Sequence, residues 1–193
     1  DVCSSDLSVS RKGVLTAEVT VSSFSSYVAF LEGYARAVLA AETRWDRART
    51  WIQTVIQSTR VDIRLGSDPL TRSGMTDAST RGLSISFPNA RTDRDIARLA
   101  EEVFQLPARL ADAKRRHVVV ALDEFQAIAK FDGETVEHAL RAAVQHQRAV
   151  GYVFAGSEPS LMERMISAKR PFYKAGPVLR LERIPPEEFA AWV

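Results

Sequence analysis

The sequence has little cysteine, no long apolar run and almost no excess of charge of either sign. Its single cysteine, Cys3, excludes an internal disulfide framework and a cysteine-based zinc cluster, and it fits a reducing compartment such as the cytoplasm. The longest apolar stretches, such as residues 118–122, are far below the roughly 18 residues of a transmembrane helix. We therefore expect a soluble cytoplasmic protein without a membrane partner.

Charge gives no direct indication of a nucleic-acid partner. Lys and Arg number 26 against 24 for Asp and Glu in the 193 residues. An excess this small does not produce the basic surface that phosphate backbones require. Any nucleic-acid contact is thus expected only through regions that this sequence does not contain.

Both ends of the sequence differ from what lies between them. Residues 1–7 have no signal-peptide core and resemble a translated sequencing adapter, so we expect them to be foreign to the native protein. At the other end, Pro185-Pro186-Glu187-Glu188 is typical of the first turn of a helix that the last residues do not complete. We expect an internal fragment of a longer protein, incomplete at both ends.

Strand-like and helix-like segments alternate along the chain, which predicts an α/β domain with a mainly parallel sheet flanked by helices. The predicted strands, expected to lie side by side, are Val14–Val21, His117–Leu122, Gly151–Ala155 and Val178–Leu181. The second of these is a continuous apolar run, typical of a strand that is covered on both faces. The third is also expected to be buried.

Apolar residues at three- and four-residue spacing predict the helices between these strands. The expected helices are Tyr27 to Val38, Arg44 to Gln57, one capped by Thr92-Asp93, Glu134 to Val150, and one opened by Glu158-Pro159. Pro107 is expected to kink the third or to start a new helix. Gly66 to Gly82 and Lys130 to Gly133 are predicted loops, and Gly82 to Phe87 is a predicted edge strand or hairpin arm.

Two acids, Asp123 and Glu124, follow the strongest predicted strand. Ligands of open parallel sheets bind beyond the carboxyl ends of the strands, so both acids are expected to face a binding crevice. In a nucleotide hydrolase the first such acid holds Mg²⁺, and the second orients or deprotonates the water that attacks the γ-phosphate. The alternative is that the pair only ends a strand and caps the next turn.

Ser157 ends the next predicted strand. P-loop ATPases of the AAA+ and STAND groups have a sensor at the similar place, which contacts the γ-phosphate or the attacking water, and this likeness implies the same role for Ser157. The alternative is a helix N-cap, since Glu158-Pro159 follows directly, and one hydroxyl could serve both roles.

Four segments together resemble the prokaryotic, archaeal-type ATPases of the AAA+/STAND branch of P-loop NTPases. Residues 17–35 are similar to the family's second strand and helix, and Leu122-Asp123-Glu124-Phe125-Gln126 looks like its Walker B segment. Phe154-Ala155-Gly156-Ser157 resembles the sensor strand, and residues 171–185 resemble the last strand and the lead into a helical lid or winged-helix domain. The resemblance implies a partial ATPase core over residues 8–184 and the start of that next domain over 185–193.

The same resemblance implies ATP and Mg²⁺ as cofactors, with Asp123 as the metal and cofactor ligand and Glu124 and Ser157 as catalytic residues. Two positions depart from the family. Thr20 stands where an Asp is usual, and Lys174-Ala175 stands where a Gly-Arg pair is common. Lys174, Arg170 or Arg164 could supply the missing cationic contact, or each could be an ordinary surface charge.

The Walker A loop is absent, because none of the nine glycines is followed by Lys. Phosphate affinity in this fold comes mainly from that loop, so the fragment alone is expected to be inactive. Three functions remain open: an ATPase or ATP-dependent switch, a non-hydrolysing scaffold of the same fold, and a DNA-associated ATPase of a mobile element. Protein partners or self-association fit each of them.

Overall fold

The computed structural model describes residues 13–41, 62–65, 83–88, 90–132 and 134–182. The adapter-like residues 1–7, the predicted helix at 44–57, the predicted loop at 66–82 and the predicted helix start at 185–188 lie outside the described residues.

Three parallel strands form the main sheet. They are β1 (Leu15–Thr20), β4 (Val118–Asp123) and β5 (Val150–Phe154), in the order β1-β4-β5. Two further strands, β2 (Asp62–Leu65) and β3 (Leu83–Ser86), form a separate antiparallel pair. The predicted parallel sheet is confirmed, and β3 is the predicted hairpin arm. Its partner β2 was not anticipated from the sequence.

Alternating side chains on the strands separate the two faces of the main sheet. On β1 and β4 the alternate residues from Leu15 and from Val118 are buried. They belong to one core with the apolar faces of the neighbouring helices. On the opposite face Val119 and Ala121 are half-buried and Val153 is exposed. Among the described residues, the expected burial of β4 on both faces is therefore only partly met.

Local sequence signals mark the starts of several of the described helices. They are α1 (Tyr27–Ala40), α2 (Asp93–Phe104), α3 (Leu106–Lys114), α4 (Ala129–Asp132), α5 (Glu134–Val144) and α6 (Pro159–Met165). At the start of α2, Thr92 and Asp95 form a reciprocal capping box. Pro107 lies in the first turn of α3, so it starts a new helix rather than kinking the old one.

Two predicted boundaries were wrong. Residues 129–132 form the short helix α4 instead of a loop, continuing a 3₁₀ turn over Phe125–Ile128. The helix α5 ends at Val144 rather than Val150. Val150 pairs in register with Val118, and a residue committed to the parallel ladder cannot remain in the helix.

The predicted buried strand at 151–155 and the predicted strand at 178–181 also need correction. Strand β5 pairs only with β4 among the described strands, so it is an edge, and Val153 is 53% exposed. Val178–Leu181 is not a strand. Its apolar side chains are 63 to 88% exposed, and Arg180 instead pairs with Glu163 of α6 at 2.5 Å. Apolar alternation favours a strand only where a neighbouring backbone completes the ladder, and no described strand does so here.

Candidate functional site at the carboxyl edge of the sheet

The carboxyl ends of the three parallel strands meet at one edge of the sheet. Thr20, at the end of β1, is in register with Asp123, at the end of β4. Ser157 follows the end of β5, and its hydroxyl donates a hydrogen bond to Glu124, which follows the neighbouring strand β4. Asp123, Glu124 and Ser157 therefore lie together at the edge where parallel sheets bind ligands.

The turn after β4 contains Glu124 in an unusual backbone conformation. Glu124 is left-handed, with φ 51° and ψ 41°, which costs a residue with a side chain about 1–3 kcal/mol. Its amide donates to Oδ1 of Asp123 at 2.9 Å, and the next amide, of Phe125, donates to the carbonyl of Ala155 at 2.8 Å. The turn is thereby tied both to the preceding acid and to the neighbouring strand.

One oxygen of Glu124 accepts two hydrogen bonds. Its Oε2 accepts from Nε2 of Gln126 at 2.5 Å and from Oγ of Ser157 at 2.9 Å. Gln126 is buried, whereas Ser157 is exposed. Sequence reasoning gave Gln126 no role of its own. The available signal is a single amide inside the otherwise apolar run Phe125–Ile128, since a buried polar side chain needs a partner.

The structure bears on the helix-cap interpretation of Ser157. The N-cap of α6 is Glu158, and its side chain makes no capping hydrogen bond. Ser157 lies one residue earlier and donates its hydroxyl hydrogen to Glu124 instead. The helix-cap alternative is therefore not realised.

Gly156 allows this cluster to close. A Cβ atom at this position would lie 2.3 Å from Oε1 of Gln126 and 2.7 Å from Sδ of Met162. Any larger residue would displace one of these side chains. The glycine thus lets the backbone beyond β5 pass directly over the Gln126 amide.

Three phenylalanines pack beneath the turn. The ring of Phe125 lies 4.6 Å from Phe154 and 5.1 Å from Phe172 between centroids, and the last two rings are 5.0 Å apart. Phe125 and Phe172 are almost completely buried. Because Phe125 directly follows Glu124, this apolar contact fixes the position from which the glutamate projects.

The three candidate cations have different surroundings. Arg170 forms ion pairs with Glu134 and Glu137 of α5, so its charge is already matched. Lys174 has its Nζ 5.3 Å from the centre of the adjacent Tyr173 ring, and Arg164 is exposed in the last turn of α6. Arg170 is a structural residue here, and the other two remain surface charges.

The donor set at this edge fits a hard divalent cation that keeps most of its water. Asp123 and Glu124 offer carboxylate oxygens, and Thr20 ends the adjoining strand. In the part of the chain that the structure describes, no group of three or more His, Cys, Asp and Glu forms a complete metal cage. Mg²⁺ is commonly bound by one or two carboxylates together with waters and substrate phosphates, which matches this sparse set.

The architecture defines the class of fold. It is a mixed α/β structure with a three-stranded parallel sheet flanked by helices. None of the described helices is long and apolar enough to cross a membrane.

Comparison with known proteins gives a likeness at the level of structure only. No family model and no curated protein matches the chain. Among solved structures, the chain is similar to the Walker-type ATPase PABY2304 of Pyrococcus abyssi, with a TM-score of 0.37 and 12% sequence identity. The match covers 82% of this chain and 39% of the ATPase chain, so the sequence spans less than half of that protein.

Proposed function

We propose that this chain supplies the metal-binding and water-activating part of a Mg²⁺-dependent ATPase or ATP-driven switch. The observation that carries the proposal is the meeting of Asp123, Glu124 and Ser157 at the carboxyl edge of the parallel sheet, with Glu124 and Ser157 in contact. A strand-ending acid pair with no further role would not need a hydroxyl from the next strand. The phosphate-binding loop is proposed to lie outside this sequence, whose glycines are nowhere followed by Lys.

Each side chain has a proposed chemical role. Asp123 would hold Mg²⁺ directly or through a water, and the ion would supply positive charge that offsets the charge of the phosphates. Glu124 would accept a proton from the attacking water. The water oxygen would then bond to the γ-phosphorus while the bond from that phosphorus to the β–γ bridging oxygen breaks, giving ADP and phosphate. Ser157 would donate its hydroxyl hydrogen to the terminal phosphate.

Variants of the two acids in the protein encoded by the complete gene test the proposal. Glu124→Gln should leave Mg-ATP binding largely in place and slow hydrolysis by about 10²-fold or more, because it removes a proton acceptor. Asp123→Ala should instead weaken the dependence on Mg²⁺, because it removes a ligand of the ion. Glu101→Gln, an exposed acid on α2, is the matched control. A steady-state ATPase assay and a separate nucleotide-binding titration measure the two effects.

The outcomes distinguish the remaining alternatives. Wild-type hydrolysis by Glu124→Gln would show that this acid only ends a strand. A complete, folded protein that neither binds nor hydrolyses ATP would favour the non-hydrolysing scaffold. A role in a DNA-associated ATPase would require nucleic-acid contacts in other regions, and DNA-stimulated hydrolysis by the complete protein would support it.

A further inference from the structure

The two hydrogen-bond donors to Glu124, Gln126 and Ser157, differ in the number of hydrogens that they can donate. The amide of Gln126 carries two N–H hydrogens, whereas the hydroxyl of Ser157 carries one. Both hydrogen bonds end on Oε2 of Glu124, at 2.5 and 2.9 Å. The single hydrogen of Ser157 is therefore fully engaged by the glutamate in this structure.

The orientation of the Gln126 amide follows from the chemistry of its partner. A carboxylate only accepts hydrogen bonds, so the nitrogen of the amide must face Glu124. The Oε1 atom then points toward Gly156 and is buried without a hydrogen-bond partner. An unpaired buried acceptor is unfavourable, so this orientation is maintained by the contact with Glu124 and by the packing around it.

A terminal phosphate would compete with Glu124 for Ser157. Phosphate oxygens also only accept, so Ser157 can donate either to the glutamate or to the phosphate, but not to both. Gln126 is buried and two residues from Glu124, whereas Ser157 is exposed at the edge of the site. A ligand at this edge can thus reach the serine while the Gln126 contact stays in place.

We propose that Gln126 is a positioning residue that holds Glu124 throughout, and that Ser157 is an exchangeable donor. When a nucleoside triphosphate binds, the Ser157 hydroxyl turns from Glu124 to the terminal phosphate, which releases one constraint on the glutamate. A nucleoside diphosphate has no such phosphate and leaves Ser157 on Glu124. This inference rests on the proposed function, and it adds a mechanism by which the site distinguishes ATP from ADP.

A double-mutant cycle on nucleotide binding tests the exchange. A non-hydrolysable ATP analogue and ADP are titrated against the complete protein, Glu124→Ala, Ser157→Ala and the double variant. Glu124→Ala removes the competing acceptor, so the analogue should bind about three- to tenfold more tightly relative to ADP. This gain should disappear in the Ser157→Ala background, where no hydroxyl remains.

The same cycle contains the outcome that would overturn the exchange. Removing a carboxylate also reduces its repulsion of phosphate, and that effect does not depend on Ser157. An equal gain in both backgrounds would therefore mean that repulsion alone is being measured. Because Ser157 is exposed, its variant should fold, which a melting curve of the nucleotide-free protein verifies.

Steady-state kinetics test the positioning role of Gln126. Gln126→Met keeps the length of the side chain but removes the amide, and kcat should fall about tenfold or more with little change in KM. In a Glu124→Gln background the same change should have almost no further effect. Gln145→Met, at an exposed glutamine, is the matched control.

Two failures can be told apart. An equal kcat loss with and without the Glu124 carboxylate would show that Gln126 acts only on the fold. Wild-type hydrolysis by Glu124→Gln would contradict the proposed function instead, while the binding cycle still decides whether Ser157 exchanges. If Gln126→Met does not fold, Gln126→Leu, which also removes the amide, replaces it in the same kinetic comparison.

Discussion

At the scale of single residues, a short chain of polar groups crosses the core. The hydroxyl of Tyr152 donates to Oε1 of Gln147 at 2.8 Å, and Nε2 of Gln147 donates to the carbonyl of Phe104 at 2.7 Å. The hydroxyl of Tyr34 lies 3.3 Å from that of Tyr152. Burial raises the pKa of Tyr152 to about 12. These hydrogen bonds join β5 to α1 and α2, and they give partners to the buried polar groups of Tyr34, Gln147 and Tyr152.

Tyr152→Phe should destabilise the protein because it leaves the buried Gln147 oxygen without its donor. The expected loss is about 1–3 kcal/mol in the free energy of unfolding at neutral pH, measured by denaturant titration. The exposed Tyr173→Phe is the control and should change stability very little.

The difference in stability between the wild type and Tyr152→Phe should also depend on pH, in a definite direction. The pKa of Tyr152 is raised on folding from 10.0 to about 12. The stability it contributes is therefore complete below pH 10 and is lost as the pH rises toward 12. The deficit of Tyr152→Phe should shrink over that interval, because burial favours the protonated phenol in the folded state, and a deficit that stays constant would show that the pKa of Tyr152 is not raised on folding.

At the scale of elements, one arginine and one aromatic ring connect the segment after α6 to α5 and to the end of the sheet. Arg170 pairs with Glu134 and, at 2.5 Å, with Glu137, whose side chain is completely buried. Phe172 inserts beside Phe125 and Phe154. Burial raises the pKa of the Glu137 carboxyl. The segment is thereby connected to the turn that carries Glu124.

Arg170→Met should leave the Glu137 carboxylate buried without its cation. Loss of one partner of a buried pair costs about 3 kcal/mol or more, which should appear in the free energy of unfolding. Arg180→Met is the matched control, because its pair with Glu163 is exposed and should be worth less than about 1 kcal/mol.

Acid should partly rescue Arg170→Met. A carboxyl whose pKa is raised on folding is more favourable in its protonated form, so stability increases as the pH falls through the folded-state pKa. Arg170 lowers the pKa of Glu137, so its removal should raise that pKa further, and the deficit relative to wild type should be largest at neutral pH and shrink as the pH falls toward 4.5, the ordinary value of a glutamate carboxyl. Equal losses of stability for the Arg170 and Arg180 variants at every pH would show that the buried ion pair contributes no more than the exposed one.

At the scale of the whole molecule, the sheet has one central strand and two unequal sides. Strand β4 is paired with β1 and with β5, and its alternate residues Val118, Val120 and Leu122 are completely buried. Strand β5 is half-exposed and has a single described neighbour. The stability of the fold should therefore be concentrated in β4.

Amide hydrogen exchange under native conditions should reveal this gradient. Amides of Val118–Asp123 should exchange only through global unfolding, whereas those of β5 should exchange faster by about an order of magnitude or more through local opening. Mass spectrometry of peptides that separate residues 118–123 from 150–154 measures the difference. Equal protection of the two strands would indicate that another part of the protein covers β5.

Much of this fold and of its candidate site follows from local sequence. The apolar run before Asp123 specified a strand, and a strand that ends in acids in a parallel sheet places them at the ligand edge. Thr92 and Asp95 specified the start of α2 through their capping box. These features were predictable because the responsible residues are neighbours in the chain.

Tertiary structure alone decided the remainder. Val178–Leu181 is as rich in apolar, strand-favouring residues as β5. Only β5, however, pairs with a neighbour among the described strands. The contact of Ser157 with Glu124 joins residues 33 positions apart in the sequence. Gly156, which has no side chain, leaves room for the amide of Gln126. Local propensity fixes which backbone conformations are favourable, but a ladder or a hydrogen bond also needs a partner that only the folded chain brings near.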